Sequence, residues 1–135
     1  MTLVESTLAG LWCEVGGLHV DPWGPAVRAV ITHAHGDHAR PGSDAYLCAA
    51  PALPLLRRRL GPQAEIQAIA YGERVALGDV TLSLHPAGHV LGSAQVRLEH
   101  GGQVWVAPGD YFVSGAEPNE AEYNATCAAF ETGCE

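Results

Sequence analysis

Residues 33–38 form the stretch His33-Ala34-His35-Gly36-Asp37-His38, which follows directly after the apolar run Ala29-Val30-Ile31. The stretch carries three imidazoles and one carboxylate in six positions, far more metal-binding capacity than a fold requires. Alternate side chains of an extended chain share a face, so His33 and His35 at the end of a strand can both reach one cation. The pattern therefore predicts a metal site at the end of a strand.

The last part of the stretch predicts a second cation beside the first. A tight turn at Gly36, followed by a first helical turn, would bring Asp37 and His38 towards it. Imidazole and carboxylate suit zinc, with ligand bonds of roughly 2.0–2.2 Å, and manganese or iron tolerates the same donors. The alternative is a polar, flexible turn that happens to be rich in histidine, but such dense spacing is rare by chance.

Two later segments can return ligands to the same place. One is His85-Pro86-Ala87-Gly88-His89-Val90-Leu91-Gly92-Ser93 and the other is Gly109-Asp110-Tyr111, and each follows a strand-like run. Together the three segments predict a dinuclear hydrolase centre on loops at one end of a sheet.

The rest of the chain is predicted to be mainly strands, in a layered α+β fold of the α/β-β-α type with one or two helices. A hairpin is expected at residues 11–15 and 18–21, and an amphipathic helix at residues 51–60. Residues 37–40 leave room for only a short helix, and residues 114–126 are expected to be loop. Further strands are expected at residues 27–32, 45–49, 66–69, 74–77, 80–84, 94–98 and 104–107.

Length and composition limit the classes of protein to which the chain can belong. A chain of 135 residues, 47% of them hydrophobic, has the size of one domain at most and enough apolar side chains for a core. The net charge of −8, with seven Arg and no Lys, offers no broad basic surface, which argues only weakly against a phosphodiester substrate. The sequence shows neither a membrane span nor a signal peptide, so we expect a cytoplasmic protein. The four scattered cysteines are expected to be reduced and mostly buried.

The motifs resemble those of a known superfamily. The H-x-H-x-D-H pattern at residues 33–38 resembles the signature of the metallo-beta-lactamase superfamily, and residues 87–93 resemble a motif of its beta-CASP nucleic-acid-processing branch. More narrowly, the chain is similar to bacterial ligase-associated DNA exonucleases, also described as mRNA 3-prime processing exonucleases. That similarity lies in Asp21-Pro22-Trp23, residues 29–42, residues 85–95 and Gly109-Asp110-Tyr111.

The resemblance covers residues 11–111 and resumes weakly at residues 126–130. Members of the exonuclease family are far longer, with a second half of the metallo-beta-lactamase fold, an inserted beta-CASP domain and further histidines. Residues 1–112 would then be the amino-terminal half of such a domain, and residues 113–135 an acidic loop and the truncated start of the next element. We expect a fragment or half of a split enzyme, whose open sheet edges favour self-association or a complementary chain.

The resemblance also implies a ligand set, a cofactor and partners. One cation would be held by His33, His35 and His89, the other by Asp37 and His38, with Asp110 bridging both. Asp37 and Asp110 would be the catalytic acids, and Asp37 would orient the attacking water. The implied cofactors are two divalent ions, with zinc preferred and manganese possible. The implied function is exonuclease action in DNA repair, with DNA favoured over RNA and a DNA ligase as a possible partner.

Two other functions remain open at this point. The H-x-H-x-D-H element alone would permit a small-molecule metallohydrolase acting on a thioester or lactone. A non-catalytic fragment that binds metal or a partner without turnover is also compatible with a missing half. Outside the motifs, His85 is expected either to orient a ligand or to be structural, and Arg57-Arg58-Arg59 to be a solvated helix face rather than a nucleic-acid contact. His19 and His100 are expected at the surface, and Trp12, Trp23 and Trp105 in the core or at its rim.

Overall fold

The computed structural model describes residues 3–107, which contain ten strands and one α-helix. The segment around Asp110, the expected loop at residues 114–126 and the boundary between residues 112 and 113 lie outside the described residues. The elements are β1 Glu5–Thr7, β2 Gly10–Cys13, β3 Leu18–Val20, β4 Arg28–Val30, β5 Ala45–Ala49, a 3-10 turn Ala50–Ala52, α1 Leu53–Leu60, β6 Ile66–Ile69, β7 Val75–Leu77, β8 Val80–Pro86, β9 Ala94–His100 and β10 Gln103–Ala107.

The first sheet has six strands in the order β1-β2-β3-β4-β5-β6. Its first three strands are antiparallel, whereas β3, β4, β5 and β6 run parallel to one another. Val20 pairs with Val30, so β3 and β4 end at the same edge of the sheet. Asp21, directly after β3, and Thr32, two residues after β4, therefore meet at that edge.

The second sheet is antiparallel, with the order β10-β9-β8-β7. Between β8 and β9 the chain makes the loop of residues 87–93, which carries His89. The amide of Ala94, at the start of β9, donates to the Thr32 carbonyl at 2.7 Å. This hydrogen bond joins the two sheets at the point where the loop of His33 begins and the loop of His89 ends.

The apolar core lies between the two sheets, and α1 covers the other face of the first sheet. Strand β4 shows the division, because Val30 packs into the core between the sheets while Ala29 and Ile31 pack with the helix. Leu56 of α1 is fully buried in this second cluster, together with Ala34 of the histidine loop. Burial on both faces is typical of parallel strands covered by helices.

The structure confirms a strand-rich α+β fold, including the hairpin of β2 and β3 and the helix that ends at Leu60. The expected short helix at residues 37–40 is wrong. His35 O accepts from the amides of His38 and Ala39 at 3.0 and 2.8 Å, so this part of the chain forms a hydrogen-bonded turn that does not continue into a helix. The sequence analysis also missed β1, a three-residue edge strand.

Two smaller expectations concern cysteines and membranes. Cys13 and Cys48 are free and buried, as predicted, and burial raises the pKa of Cys48 to about 11. Within residues 3–107 the helix of eight residues is far shorter than a bilayer span.

Candidate metal centre

Three imidazoles from two loops converge at the end of β4. His33 and His35 come from the loop after β4, and His89 comes from the loop after β8. The ring centres lie 4.9 Å apart for His33 and His35, 4.9 Å for His33 and His89, and 5.0 Å for His35 and His89. Each ring offers one nitrogen to a group whose ligand atoms all lie within 4.8 Å of one another. His33 is fully buried, whereas His35 is exposed, so the cluster opens to solvent on one side.

The nitrogen positions fit a metal. His89 Nε2 lies 3.3 Å from His35 Nδ1. Two ligands on a tetrahedral zinc, with bonds of roughly 2.0–2.1 Å, are separated by about 3.3 Å, so this pair has the spacing of neighbouring ligands. Imidazole nitrogens are a donor set that zinc prefers. The cluster therefore suits a divalent cation by spacing and by chemistry.

A second group shares His33 and adds His38 and Asp21, again with all ligand atoms within 4.8 Å. The rings of His33 and His38 lie 4.1 Å apart. His38 Nδ1 lies 2.7 Å from Asp21 Oδ2, so the carboxylate accepts from Nδ1 and leaves Nε2 as the candidate ligand atom. The structure thus places His38 beside the first group and supplies it with a carboxylate partner.

Asp21 also sets the orientation of His33 through Thr32. The single hydroxyl hydrogen of Thr32 is donated to Asp21 Oδ2 at 2.6 Å, so Thr32 Oγ1 accepts from His33 Nδ1 at 2.9 Å. The proton on Nδ1 makes Nε2 the unprotonated nitrogen of the neutral ring. Thr32 N donates to Asp21 Oδ1 at 2.8 Å, which completes the hydrogen bonding of the carboxylate. One carboxylate therefore fixes which nitrogen both histidines present.

Asp37 lies at the surface of the same loop. Its side chain is 73% exposed, and its Oδ2 is 3.6 Å from His38 Nε2. The Asp37 carboxylate therefore lies close to the nitrogen that His38 presents as its candidate ligand atom. Asp110, the other predicted catalytic acid, lies outside the described residues.

The loop that carries His89 is held by a buried serine. Ser93 Oγ accepts from the amides of His89 and Val90 at 3.1 and 3.3 Å, and Tyr71 donates its hydroxyl hydrogen to the Ser93 carbonyl at 2.8 Å. Gly92 adopts a φ of +79°, and a Cβ added there would lie 2.3 Å from the backbone nitrogen of Ala52. Only glycine allows this approach, which presses the loop against the 3-10 turn.

The remaining histidines and tryptophans lie outside the cluster. His85 is buried and shares a hydrogen bond of 2.9 Å with Ser83, and its burial together with the charges of Arg97 and Arg74 lowers its pKa. His19 stacks on Trp12 at 4.6 Å, and burial lowers the pKa of His19. Of the remaining histidines and tryptophans, His100 and Trp105 are partly buried and Trp23 is exposed.

The arrangement of the chain matches that of solved metallo-beta-lactamases. A mutant metallo-beta-lactamase from Cronobacter sakazakii superposes with a TM-score of 0.55 and 13% identity, over 96% of this chain and 65% of the other. A protein of unknown function from Enterococcus faecalis V583 gives a TM-score of 0.61 and 17% identity, over 75% of this chain and 28% of the other. The chain has the metallo-beta-lactamase fold.

Sequence comparison adds one relative. A protein from Opitutus terrae named probable DNA ligase is 39% identical over 93 residues, which is 68% of this chain. The chain spans only 9% of the length of that relative. No protein-family model matches the chain.

On this metallo-beta-lactamase fold, a cavity of about 560 Å³ lies beside the histidines. Asp21, Asp37 and His38 line one part of it, and Trp105 and Ala107 of β10 line another. The cavity therefore reaches from the histidine loop to the last described strand.

The sequence analysis missed Asp21 as a site residue. Asp21 has a φ of 45°, a left-handed conformation in which Asp and Asn are enriched among non-glycine residues. It directly follows β3, the strand next to β4. A signal was therefore available, because an aspartate directly after one parallel strand lies beside the residues that follow its neighbour.

We expect Asp21→Asn to weaken zinc binding by about tenfold to a hundredfold. Asparagine tolerates the left-handed backbone, so the substitution removes the charge and one acceptor while keeping the conformation. Its amide group would face the hydroxyl of Thr32 or Nδ1 of His38, which both donate to the carboxylate in the native arrangement.

The measurement is zinc affinity by competition with a chromophoric chelator. Asp44→Asn is the matched control, because Asp44 is exposed and its side chain makes no hydrogen bond or ion pair with other residues in the range 3–107. Equal zinc affinities for the two variants would show that Asp21 does not orient the histidines.

Proposed function

We propose that the chain is the metal-binding part of a metal-dependent hydrolase that cleaves phosphodiester bonds of DNA, as an exonuclease of the beta-CASP type. The observation that carries the proposal is the histidine cluster of His33, His35, His38 and His89 on a metallo-beta-lactamase fold. The similarity to a protein named probable DNA ligase supports DNA as the substrate and a ligase as the functional context.

The first cation of the proposed ligand set follows the first group in the cluster, because His33, His35 and His89 would hold it. The other cation would be held by His38 and Asp37, and Asp110 would bridge both. Zinc fits these donors, and manganese is possible. Divalent cations at this position would supply Lewis acidity and would lower the pKa of a water molecule towards neutrality.

The residues of the chain have distinct roles in this proposal. Asp21 and Thr32 hold the ring orientations of His33 and His38, so that Nε2 of each faces the site. Asp37, at the solvent side of the loop, would accept a proton from the attacking water and orient it. The exposed side of the cluster, at His35, would admit the substrate.

The path of β10 supports a role for Asp110. The strand ends at Ala107, which lines the same cavity as Asp37 and His38. Asp110 follows three residues later, and three residues span at most roughly 11 Å. The sequence is therefore long enough to bring this carboxylate to the site.

The proposal places this chain within a larger assembly. The chain covers 9% of the probable DNA ligase and 65% of the Cronobacter sakazakii enzyme. In the part of the second sheet that the structure describes, β10 is an edge strand, and Val104 on it is 49% exposed. A further strand, from a complementary chain or from a second copy, could pair with this edge.

The test is cleavage of end-labelled single-stranded and nicked DNA by the zinc- or manganese-loaded chain. We expect shortening of the labelled strand, and a loss of about a hundredfold in rate for Asp37→Ala. Asp44→Ala is the control for removing an exposed carboxylate. Cleavage of a thioester or lactone without cleavage of DNA would contradict the proposal in favour of a small-molecule hydrolase. The chain could instead bind metal and cleave DNA no faster than Asp37→Ala does. That result would contradict the proposal and would favour a non-catalytic fragment.

A further inference from the structure

The three consecutive arginines of α1 have different environments. Arg57 donates from Nη1 to the carbonyls of Gly61, Pro62 and Ala64, at 3.3, 3.4 and 2.6 Å, and so completes the end of the helix. Arg58 is exposed and makes no side-chain hydrogen bond or ion pair within residues 3–107. Arg59 instead reaches the loop that carries the metal-binding histidines.

Arg59 touches this loop at two points. Its Nε donates to the Ala34 carbonyl, between His33 and His35, at 2.6 Å. A Cβ added at Gly36 would lie 3.0 Å from Arg59 Nη1, so the guanidinium lies against the backbone of Gly36. The contact joins residues that are 25 positions apart in the sequence.

The helix packing fixes Arg59 in this position. Leu56 precedes it by three residues, so the two side chains lie on neighbouring positions of one helix face. Leu56 is fully buried in the same cluster as Ala34. The buried leucine therefore anchors the helix face that presents the guanidinium to the loop.

Most of the donors of Arg59 remain available to a ligand. A guanidinium has five N–H donors, and within residues 3–107 Arg59 uses only Nε in a hydrogen bond. No carboxylate in that range lies within 4.0 Å of it, and the residue is exposed. A charged group with free donors beside a candidate metal centre is suited to an anion.

A second arginine adds positive charge to the same loop. Arg40 donates to the carbonyls of Asp37 and Trp23 at 3.3 and 3.4 Å. The chain has a net charge of −8 and only seven arginines. Two of them, Arg40 and Arg59, donate to backbone carbonyls of residues 33–40. The two guanidinium charges offset the carboxylate charges of Asp21 and Asp37 at this loop.

We propose that Arg59 binds a phosphate oxygen of the substrate held at the histidine cluster, while its Nε keeps the Ala34 carbonyl in place. The inference rests on the proposed function and identifies one residue that would recognise its substrate. The planar guanidinium suits two oxygens of one phosphate through its Nη atoms, which a lysine ammonium cannot reproduce.

The experiment is a calorimetric titration of inorganic phosphate into the zinc-loaded full chain and its variants. We expect Arg59→Ala to weaken phosphate binding about tenfold, and Arg59→Lys to have a smaller effect because it keeps the charge. Arg58→Ala, which removes the neighbouring exposed arginine, is expected to stay within about twofold of the unmodified chain. Zinc stoichiometry is measured for every variant and is expected to be unchanged.

Two outcomes would overturn the inference. The first is equal phosphate affinity for Arg59→Ala and Arg58→Ala. The second is loss of zinc by both Arg59→Ala and Arg59→Lys, which would show that the residue only supports the loop. If Arg59→Ala loses zinc and Arg59→Lys keeps it, the test depends on Arg59→Lys. Weaker phosphate binding by this variant than by the unmodified chain would support the inference, and equal binding would overturn it. Phosphate binding could be weaker in Arg59→Ala than in Arg58→Ala while the unmodified chain does not cleave DNA. That result would contradict the proposed function and would still support Arg59 as a phosphate-binding residue.

Discussion

Replacing His89 by alanine is expected to lower the affinity for zinc by at least about a hundredfold. Among the described residues, His89 is the member of the cluster that comes from the second sheet, and its Nε2 lies 3.3 Å from His35 Nδ1. Without it, the first group keeps only His33 and His35, which leaves two of three imidazoles. A structural or catalytic zinc in proteins uses at least three protein ligands, so two are insufficient for tight binding.

The matched control is His100→Ala. His100 ends β9 and hydrogen-bonds through Nδ1 with the Asp79 carbonyl at 2.9 Å, outside both candidate groups. We expect this variant to bind zinc as the unmodified chain does, in the same chelator competition. Equal losses in the two variants would show that zinc binds elsewhere or without specificity.

Gly92→Ala is expected to destabilise the fold by about 3 kcal/mol or more. The added Cβ would lie 2.3 to 2.5 Å from the N, Cα and Cβ atoms of Ala52, and the backbone of Gly92 has a φ of +79°. The clash involves backbone atoms, so neither side can move without shifting the 3-10 turn or the loop of His89. Overpacking and left-handed strain each cost about 1 kcal/mol or more.

Gly72→Ala separates these two effects. Gly72 has a φ of +82°, close to that of Gly92, but a Cβ there would meet nothing within 4 Å. We expect it to cost only the backbone strain, about 1–2 kcal/mol. The measurement is the free energy of unfolding of the metal-free chain from urea denaturation. If both glycine variants lost the same stability, the close packing of the loop on Ala52 would be disproved.

Much of the fold could be predicted from the sequence because apolar patterning and turn residues are local signals. Strand β5 was predicted with its observed bounds, and the helix and the later strands were predicted within a few residues. The assignment of each strand to one of the two sheets was not predicted, because alternation of apolar residues shows that a strand is buried but not which strands pair with it.

The candidate site was predictable where its residues are adjacent in sequence. The stretch of residues 33–38 and the segment around His89 both carry their histidines within a short motif. Asp21 and Arg59 were not assigned to the site, since they reach the histidine loop only through the pairing of β3 with β4 and the packing of α1. The position of Asp21 directly after β3 was a signal that could have been used, whereas the contact of Arg59 depends on helix packing and leaves no spacing pattern in one sequence.

The central claim is that the imidazoles of two separate loops bind the same divalent cation. X-ray absorption spectroscopy of the chain loaded with one equivalent of zinc tests it most directly. We predict at least three nitrogen ligands at roughly 2.0–2.1 Å with the outer-shell scattering of imidazole rings. A first shell of sulfur at roughly 2.3 Å, or of oxygen alone, would contradict the claim.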